Sequence, residues 1–316
     1  MRAIGSSGLT TPRLVLGGNV FNNTVRGPEA FAILDRFVAA GGAMIDTADV
    51  YSAWVPGHKG GESETLLGEW LERRGRRDDV LIATKVGMLP GEGGGKLEAP
   101  RIAAAVEASL RRLRTDHIDL YYAHQDDAAT PLEETLRAFD RLVGDGKVRV
   151  LGASNYSAER LAQALAISDA EGLAHYEVLQ PELNLMVRDR FEGALQRLCI
   201  ERNIGVMPYF GLASGFLTGK YRSEADFGKS VRGGGMSKYL NPRGLRVLHA
   251  LDDVAAEAGA TPAQVALAWL AAQPGVTAPI ASATGVAQLE ELLGAMALDL
   301  SADQVARLSD ASKEKR

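Results

Sequence analysis

Met44-Ile45-Asp46-Thr47-Ala48-Asp49-Val50-Tyr51 joins a short apolar run to a carboxylate and, five positions on, a phenol. Read as the end of a buried strand, Met44-Ile45 puts Asp46 and Tyr51 in the loop above it. Two further runs have the same form. Leu81-Ile82-Ala83-Thr84-Lys85 ends in a lysine, and Ile118-Asp119-Leu120-Tyr121-Tyr122-Ala123-His124 in a histidine. The expected strands are Leu14–Gly17, Ala43–Asp46, Val80–Lys85, Ile118–Ala123, Val148–Gly152, Val178–Gln180, Gly205–Pro208 and Ala278–Ala281. Amphipathic runs at helical spacing lie between them: Glu29–Ala40, Glu62–Glu72, Ala99–Leu113, Leu132–Val143, Ala158–Ala170, Asp189–Glu201, Thr261–Ala272 and Val286–Ala295. Thr130-Pro131, Ser157 and Thr261-Pro262 supply helix starts, while Gly41-Gly42 and Gly144-Asp145-Gly146 supply stops.

Strand and helix repeated eight times define an α/β chain, built as a closed (β/α)8 TIM barrel or as an open doubly wound sheet. Polar residues separate the two. Asp46, Lys85, His124, Ser154-Asn155, Gln180, Tyr209 and Ser282 each stand at or just beyond the C-terminal end of a different strand. A barrel brings such ends to one mouth, whereas an open sheet spreads them along an edge. No Gly-x-Gly-x-x-Gly opens the chain, which weighs against a dinucleotide-binding open sheet. The barrel also suits 316 residues as a single domain. Residues 2–12 are expected to form an N-terminal β-hairpin plugging the barrel floor. Gly87–Pro100 is expected to be a flexible rim loop, and residues 210–243 a long loop after strand seven.

The composition is that of a soluble globular protein, with 46% hydrophobic and 24% charged residues. A formal net charge of -5 gives no footprint for nucleic acid. No apolar run approaches the roughly 20 residues of a membrane helix. Cys199, the one cysteine, reads as a small buried apolar residue, and with it a cytoplasmic setting is expected. His58, His117, His124, His175 and His249 show no metal-ligand spacing, so no metal site is expected.

Asp46, Tyr51, Lys85 and His124 together suit carbonyl reduction. Tyr51 is the candidate acid, although a free phenol titrates near ~10. Lys85 beside it is expected to stabilise the phenolate and lower that value. Asp46 would hold the ammonium charged, and His124 would donate a hydrogen bond to the carbonyl oxygen. No side chain donates hydride, so a nicotinamide or flavin must supply it.

Ile45-Asp46-Thr47-Ala48-Asp49-Val50-Tyr51, Thr84-Lys85-Val86-Gly87, Ile118–His124, Gly152-Ala153-Ser154-Asn155-Tyr156 and Gly215-Phe216-Leu217-Thr218-Gly219-Lys220-Tyr221 resemble, in this order, signatures of the aldo-keto reductases. The likeness runs from about Gly8 to Leu308. It implies a (β/α)8 barrel, NADP(H) bound without a Rossmann domain, and Asp46, Tyr51, Lys85 and His124 as the catalytic tetrad. It assigns Ser154, Asn155 and Gln180 to the nicotinamide carboxamide and Tyr209 to the ring beneath it. Gly211, Leu212 and Lys220 fall on a loop over the pyrophosphate, and Gly18 and Asn19 join the cofactor contacts. Ser282, Thr284, Gln288 and Glu291 match the adenosine and 2′-phosphate segment.

Two departures stand out: Thr284 replaces an arginine frequent in relatives, and Leu183 a tyrosine. The expectation is NADPH ahead of NADH, with NADH possible, and a small-molecule carbonyl substrate near Trp54, Val55 and Pro56. The alternatives are an NADP(H)-binding regulatory or sensor protein with little turnover, and a barrel lyase or isomerase forming a Schiff base on Lys85.

Overall fold

The structure, a computed structural model, describes residues 1–91, 96–230 and 233–314. A short hairpin of β1 (Arg2–Ala3) and β2 (Thr10–Thr11) precedes eight parallel strands. These are β3 (Val15–Gly17), β4 (Met44–Asp46), β5 (Leu81–Val86), β6 (Ile118–Ala123), β7 (Val148–Ser154), β8 (Tyr176–Gln180), β9 (Gly205–Val206) and β10 (Ile280–Ala281). Each pairs with the next in sequence, and β10 pairs back onto β3 with Ile280 opposite Val15. The ring closes between β9 and β10: Thr277 N–H donates to Val206 O at 2.8 Å and Ile280 N–H to Pro208 O at 2.9 Å. The fold is therefore the (β/α)8 barrel.

β9 and β10 are shorter than expected because Pro208 and Pro279 have no N–H to give to a ladder. Pairing continues past them through single contacts, such as Tyr209 N–H to Pro181 O at 3.0 Å.

Helices α1 (Gly27–Ala39), α2 (Glu62–Arg74), α3 (Ala99–Leu113), α4 (Leu132–Gly144), α5 (Ala158–Glu171), α6 (Ala194–Glu201), α7 (Pro242–Ala258), α8 (Pro262–Ala271), α9 (Val286–Ala297) and α10 (Ala302–Ser312) clothe the strands. In α4 the buried stripe is Leu132, Leu136, Phe139 and Leu142, one turn apart each time. Ser157 and Thr261 cap α5 and α8 with their side chains as expected. Thr130 does not cap α4; its hydroxyl donates to Asp127 Oδ2 at 2.7 Å. α6 starts at Ala194 rather than Asp189, after Gly193 at φ 99. α7 and α10 were outside the expected helices. The Asn241-Pro242 that reads as the end of the long loop is the N-cap and first turn of α7, with Asn241 accepting from Gly244 N–H.

The barrel interior is filled. Ile4 and Leu9 of the hairpin pack beneath Val15, Met44, Ala83, Leu120, Tyr122, Val150, Val178 and Met207, so the hairpin does plug the floor. Each such side chain removed from water contributes about 1.5–3 kcal/mol. Gly5 allows the plug to seat: at φ 53, its Cβ would stand 2.5 Å from Asn203 O. In the rim loop, residues 92–95 lie outside the described residues. The long loop after β9 carries short 3-10 turns at Ala213–Thr218, Glu224–Lys229 and Gly233–Met236.

Candidate active site

The C-terminal ends of the strands put the polar residues where a barrel has its mouth. Asp46 ends β4, Lys85 is the penultimate residue of β5, and His124 directly follows β6. Lys85 is fully buried and donates three hydrogen bonds: to Asp46 Oδ2 at 2.7 Å, to Thr47 O at 2.7 Å and to Tyr51 Oη at 3.0 Å. The Tyr51 hydroxyl lies 3.3 Å from Asp46 Oδ2. Gln180 Nε2 donates to Asp46 Oδ1 at 2.8 Å, so both carboxylate oxygens are held. A buried charge is tolerated only when paired and hydrogen-bonded in this way. The His124 ring packs edge-on against Tyr51 with centroids 6.1 Å apart.

Charge states follow from burial. Burial first, and then the Asp46 carboxylate, push the Tyr51 phenol well above its usual range. This differs in direction from the lowering expected from Lys85. The physical reason is that the ammonium is shared among Asp46, Thr47 O and Tyr51, with Lys85 and Asp46 shut from water and the Tyr51 phenol facing the Asp46 carboxylate. Burial also lowers the Lys85 ammonium, against the opposing pull of Asp46. The His124 imidazole is driven well below 6.5 by burial and then by Lys85, so it is neutral at physiological pH. Its Nδ1 is buried without a hydrogen-bond partner among the described residues. Tyr51 thus carries a proton it holds firmly, next to a cation able to receive the developing phenolate. A Schiff base on Lys85 would require that buried ammonium to give up its proton and all three acceptors.

The second group surrounds this one. Ser154 Oγ donates to Gln180 O at 2.8 Å, and Asn155 Nδ2 to His124 O at 2.9 Å. Asn155 is exposed at φ 58, which turns its amide into the mouth, and Tyr209 Oη donates to its Oδ1 at 2.7 Å. Two amides, a hydroxyl and the half-buried Tyr209 ring fit a nicotinamide with its carboxamide, which needs paired donors and acceptors. Past Tyr209, Phe210, Ala213, Ser214 and Gly215 all have positive φ, a run of tight turns containing Gly211 and Leu212. Gly211 backs onto Leu267 and Leu270 of α8, and Lys220 is exposed near Tyr221.

At the far end, Ser282 Oγ donates to Asn19 Oδ1 at 2.6 Å, and Gln288 Oε1 accepts from Thr284 N–H at 2.7 Å. Glu291 accepts from Gln264 through its backbone carbonyl. Gly18 lies behind the site, its N–H donating to Asp46 O at 2.7 Å. Trp54, Met88 and Phe210, from the loops after β4, β5 and β9, are exposed apolar side chains. Trp54 stacks edge-on against Tyr51 at 6.1 Å.

The Aldo/keto reductase family profile matches residues 13–313. A probable voltage-gated potassium channel subunit beta of Arabidopsis thaliana is 34% identical over 93% of this chain and 90% of its own. An aryl-alcohol dehydrogenase [NADP(+)] of Phanerodontia chrysosporium is 31% identical over 89% of this chain and 75% of its own. The Schizosaccharomyces pombe aldo-keto reductase yakc [NADP(+)] is 31% identical over 89% and 81%. The chain belongs to the aldo/keto reductase family. It is a nicotinamide-dependent oxidoreductase acting on carbonyl and alcohol groups. Among the described residues, no helix is long and apolar enough to cross a membrane.

Proposed function

We propose that this protein reduces aldehydes or ketones to alcohols with NADPH, with Tyr51 delivering the proton and Asp46, Lys85 and His124 assisting. The observation that carries this reading is the bonding of Lys85 to both Asp46 and Tyr51 at the floor of the mouth. When bound, the nicotinamide supplies the hydride. The chain's own residues handle the proton. A carbonyl oxygen seated between Tyr51 Oη and the His124 ring receives a hydrogen bond from the neutral imidazole and then the Tyr51 proton. The phenolate left behind faces Lys85, whose charge Asp46 and Thr47 O maintain. Gln180 fixes Asp46 so that Oδ2 faces the ammonium. A positioned proton donor of this kind contributes about 10²–10⁴-fold in rate.

Ser154, Asn155, Gln180 and Tyr209 would hold the nicotinamide end. Gly18, Asn19, Gly211, Leu212 and Lys220 would line the middle, with Ser282, Thr284, Gln288 and Glu291 at the adenosine end. NADPH ahead of NADH is supported by the NADP(+) in the names of two relatives. Trp54, Met88 and Phe210 favour a carbonyl carried on an aromatic or extended apolar body.

The test is stoichiometric: a panel of aromatic and aliphatic aldehydes and ketones is incubated with NADPH, and cofactor loss is compared with alcohol formed. One alcohol per NADPH supports the reading, and no alcohol from any aldehyde or ketone refutes it. A second reading, an NADP(H)-binding regulatory or sensor protein with little turnover, is favoured by the relatives named as channel subunits. Tight NADPH binding with negligible turnover would select it.

A further inference from the structure

Behind the tetrad lies a second buried charge cluster that the proposed chemistry does not use. Asp49, Glu64 and Arg101 are all nearly or fully inaccessible, at 1%, 0% and 7% exposure. Glu64 of α2 is saturated: Thr84 Oγ1 donates to Oε1 at 2.6 Å, and Arg112 Nε to Oε2 at 2.6 Å. Asp49 is placed differently. It lies three residues past Asp46 and two before Tyr51, and its N–H donates to Lys85 O at 3.2 Å. Its carboxylate Oδ2 stands 3.5 Å from Arg101 Nη2, and the same nitrogen donates to Leu89 O at 2.8 Å.

Arg101 is in the first turn of α3, where a cation opposes the helix dipole; that turn has no acidic residue of its own, and Glu134 of α4 accepts from Ala99 N–H there at 3.0 Å. A guanidinium buried there needs compensating partners, and among the described residues Asp49 is a carboxylate it faces. The packing is close on every side. A Cβ on Gly60 would lie 2.8 Å from Asp49 O and 2.7 Å from Leu89 Cδ1, and one on Gly91 would lie 2.4 Å from Arg101 Nη1.

We propose that Asp49 and Arg101 are positioning residues. The Arg101 guanidinium clamps the loop carrying Tyr51 to the rim loop that follows Lys85, and so sets the proton donor and the substrate rim in one geometry. This rests on the reductase reading above. Neither residue touches a reacting atom. Their effect passes through Tyr51, two residues along the chain from Asp49, and through Leu89, four residues beyond Lys85.

The clamp is also sensitive to protons. Burial and the Glu64 charge push the Asp49 carboxyl up to about 7, against Arg101 and Arg112. Among the described residues, the charged and titratable groups facing it are Arg101 and Arg112 from α3, Glu64 from α2, Lys85 from β5 and Tyr121 from β6. Protonation of Asp49 removes its charge from the contact with Arg101 and so loosens the clamp, and turnover is expected to fall as pH drops through about 7. His124 lies well below this window and Tyr51 well above it.

The experiment measures kcat, KM and the NADPH Kd with 4-nitrobenzaldehyde across the pH range, together with amide exchange, on the full chain. Asp49→Asn should abolish the acid limb, and both Asp49→Asn and Arg101→Met should lower kcat by roughly tenfold to hundredfold. NADPH affinity should stay near wild type. Arg101→Lys should recover part of kcat, and exchange should rise in residues 47–58 and 87–91. An acid limb that persists in Asp49→Asn, or unchanged kcat and exchange in Arg101→Met, overturns the proposal.

If a single variant unfolds, the double variant Asp49→Asn with Arg101→Met removes both charges together. A folded double variant with low kcat supports positioning, and one with full kcat shows only structural pairing and overturns it. A wild type that turns over no carbonyl sinks the reductase reading, and the positioning role in catalysis with it. Exchange then still reports whether the clamp exists.

Discussion

Lys85 and Asp46, 39 residues apart in the chain, share a 2.7 Å hydrogen bond with both side chains almost wholly shut from water. Their pairing makes the ammonium available to Tyr51 and makes the site vulnerable. Removing one partner strands the other charge in a site without solvent. Lys85→Met is expected to lower unfolding free energy by about 3–5 kcal/mol, read from urea denaturation. Asp46→Asn with Lys85→Met should recover more than half of that loss. A single variant as stable as wild type would show that the pair is not buried as described.

His124 gives the stability of the fold a pH dependence with a definite sign. Its folded-state value is depressed well below the unfolded 6.5, so the unfolded chain binds a proton that the folded chain refuses. The stabilisation is complete above 6.5 and is lost progressively as pH falls below it. One such proton corresponds to a slope of at most about 1.4 kcal/mol per pH unit. His124→Phe should flatten the stability profile between pH 6.5 and the acid side. Parallel profiles for wild type and variant would contradict the neutral, buried imidazole.

Trp54 is 54% exposed at the rim yet packs against Tyr51, as a recognition surface for a planar substrate would. Trp54→Ala should raise KM for aromatic aldehydes about threefold to tenfold, the loss of one aromatic contact. Small aliphatic aldehydes should change less. Equal effects on both classes would assign Trp54 to loop packing instead.

At the proposed adenosine end, Thr284 and Ser282 stand where an arginine would grip a phosphate more strongly. NADPH is expected to bind more tightly than NADH, and Thr284→Arg to widen the gap. Fluorescence titration of both cofactors decides this. Tighter NADH binding by wild type would reverse the assignment.

The convergence of Asp46, Tyr51, Lys85 and His124 was legible in the sequence because Asp46, Lys85 and His124 each stand at the end of an apolar run whose direction the barrel fixes, and Tyr51 follows Asp46 by five residues in the loop above it. β6 and α3 appear with the expected boundaries because Ile118–Ala123 and Ala99–Leu113 are bounded by clear breaks in pattern. The Asp49–Arg101 contact was not legible, since its partners are 52 residues apart and an arginine in a helix reads as surface charge. The hold of Gln180 on Asp46 spans 134 residues and depends on barrel closure, which no local spacing encodes. The lowering expected at Tyr51 failed for a related reason: a sequence shows a lysine nearby but not how completely water is excluded. Asn241-Pro242 reads as the end of the long loop because the pair serves equally as a stop and as a cap, and the helix it opens, α7, is not among the expected helices.

The central claim is that Tyr51 supplies the proton, and single-turnover NADPH oxidation by Tyr51→Phe tests it most directly. With enzyme, NADPH and an aromatic aldehyde mixed rapidly, the variant is expected to react about 10²–10⁴-fold more slowly than wild type. NADPH should bind both proteins alike. A variant that oxidises NADPH and forms alcohol at the wild-type rate would contradict the claim.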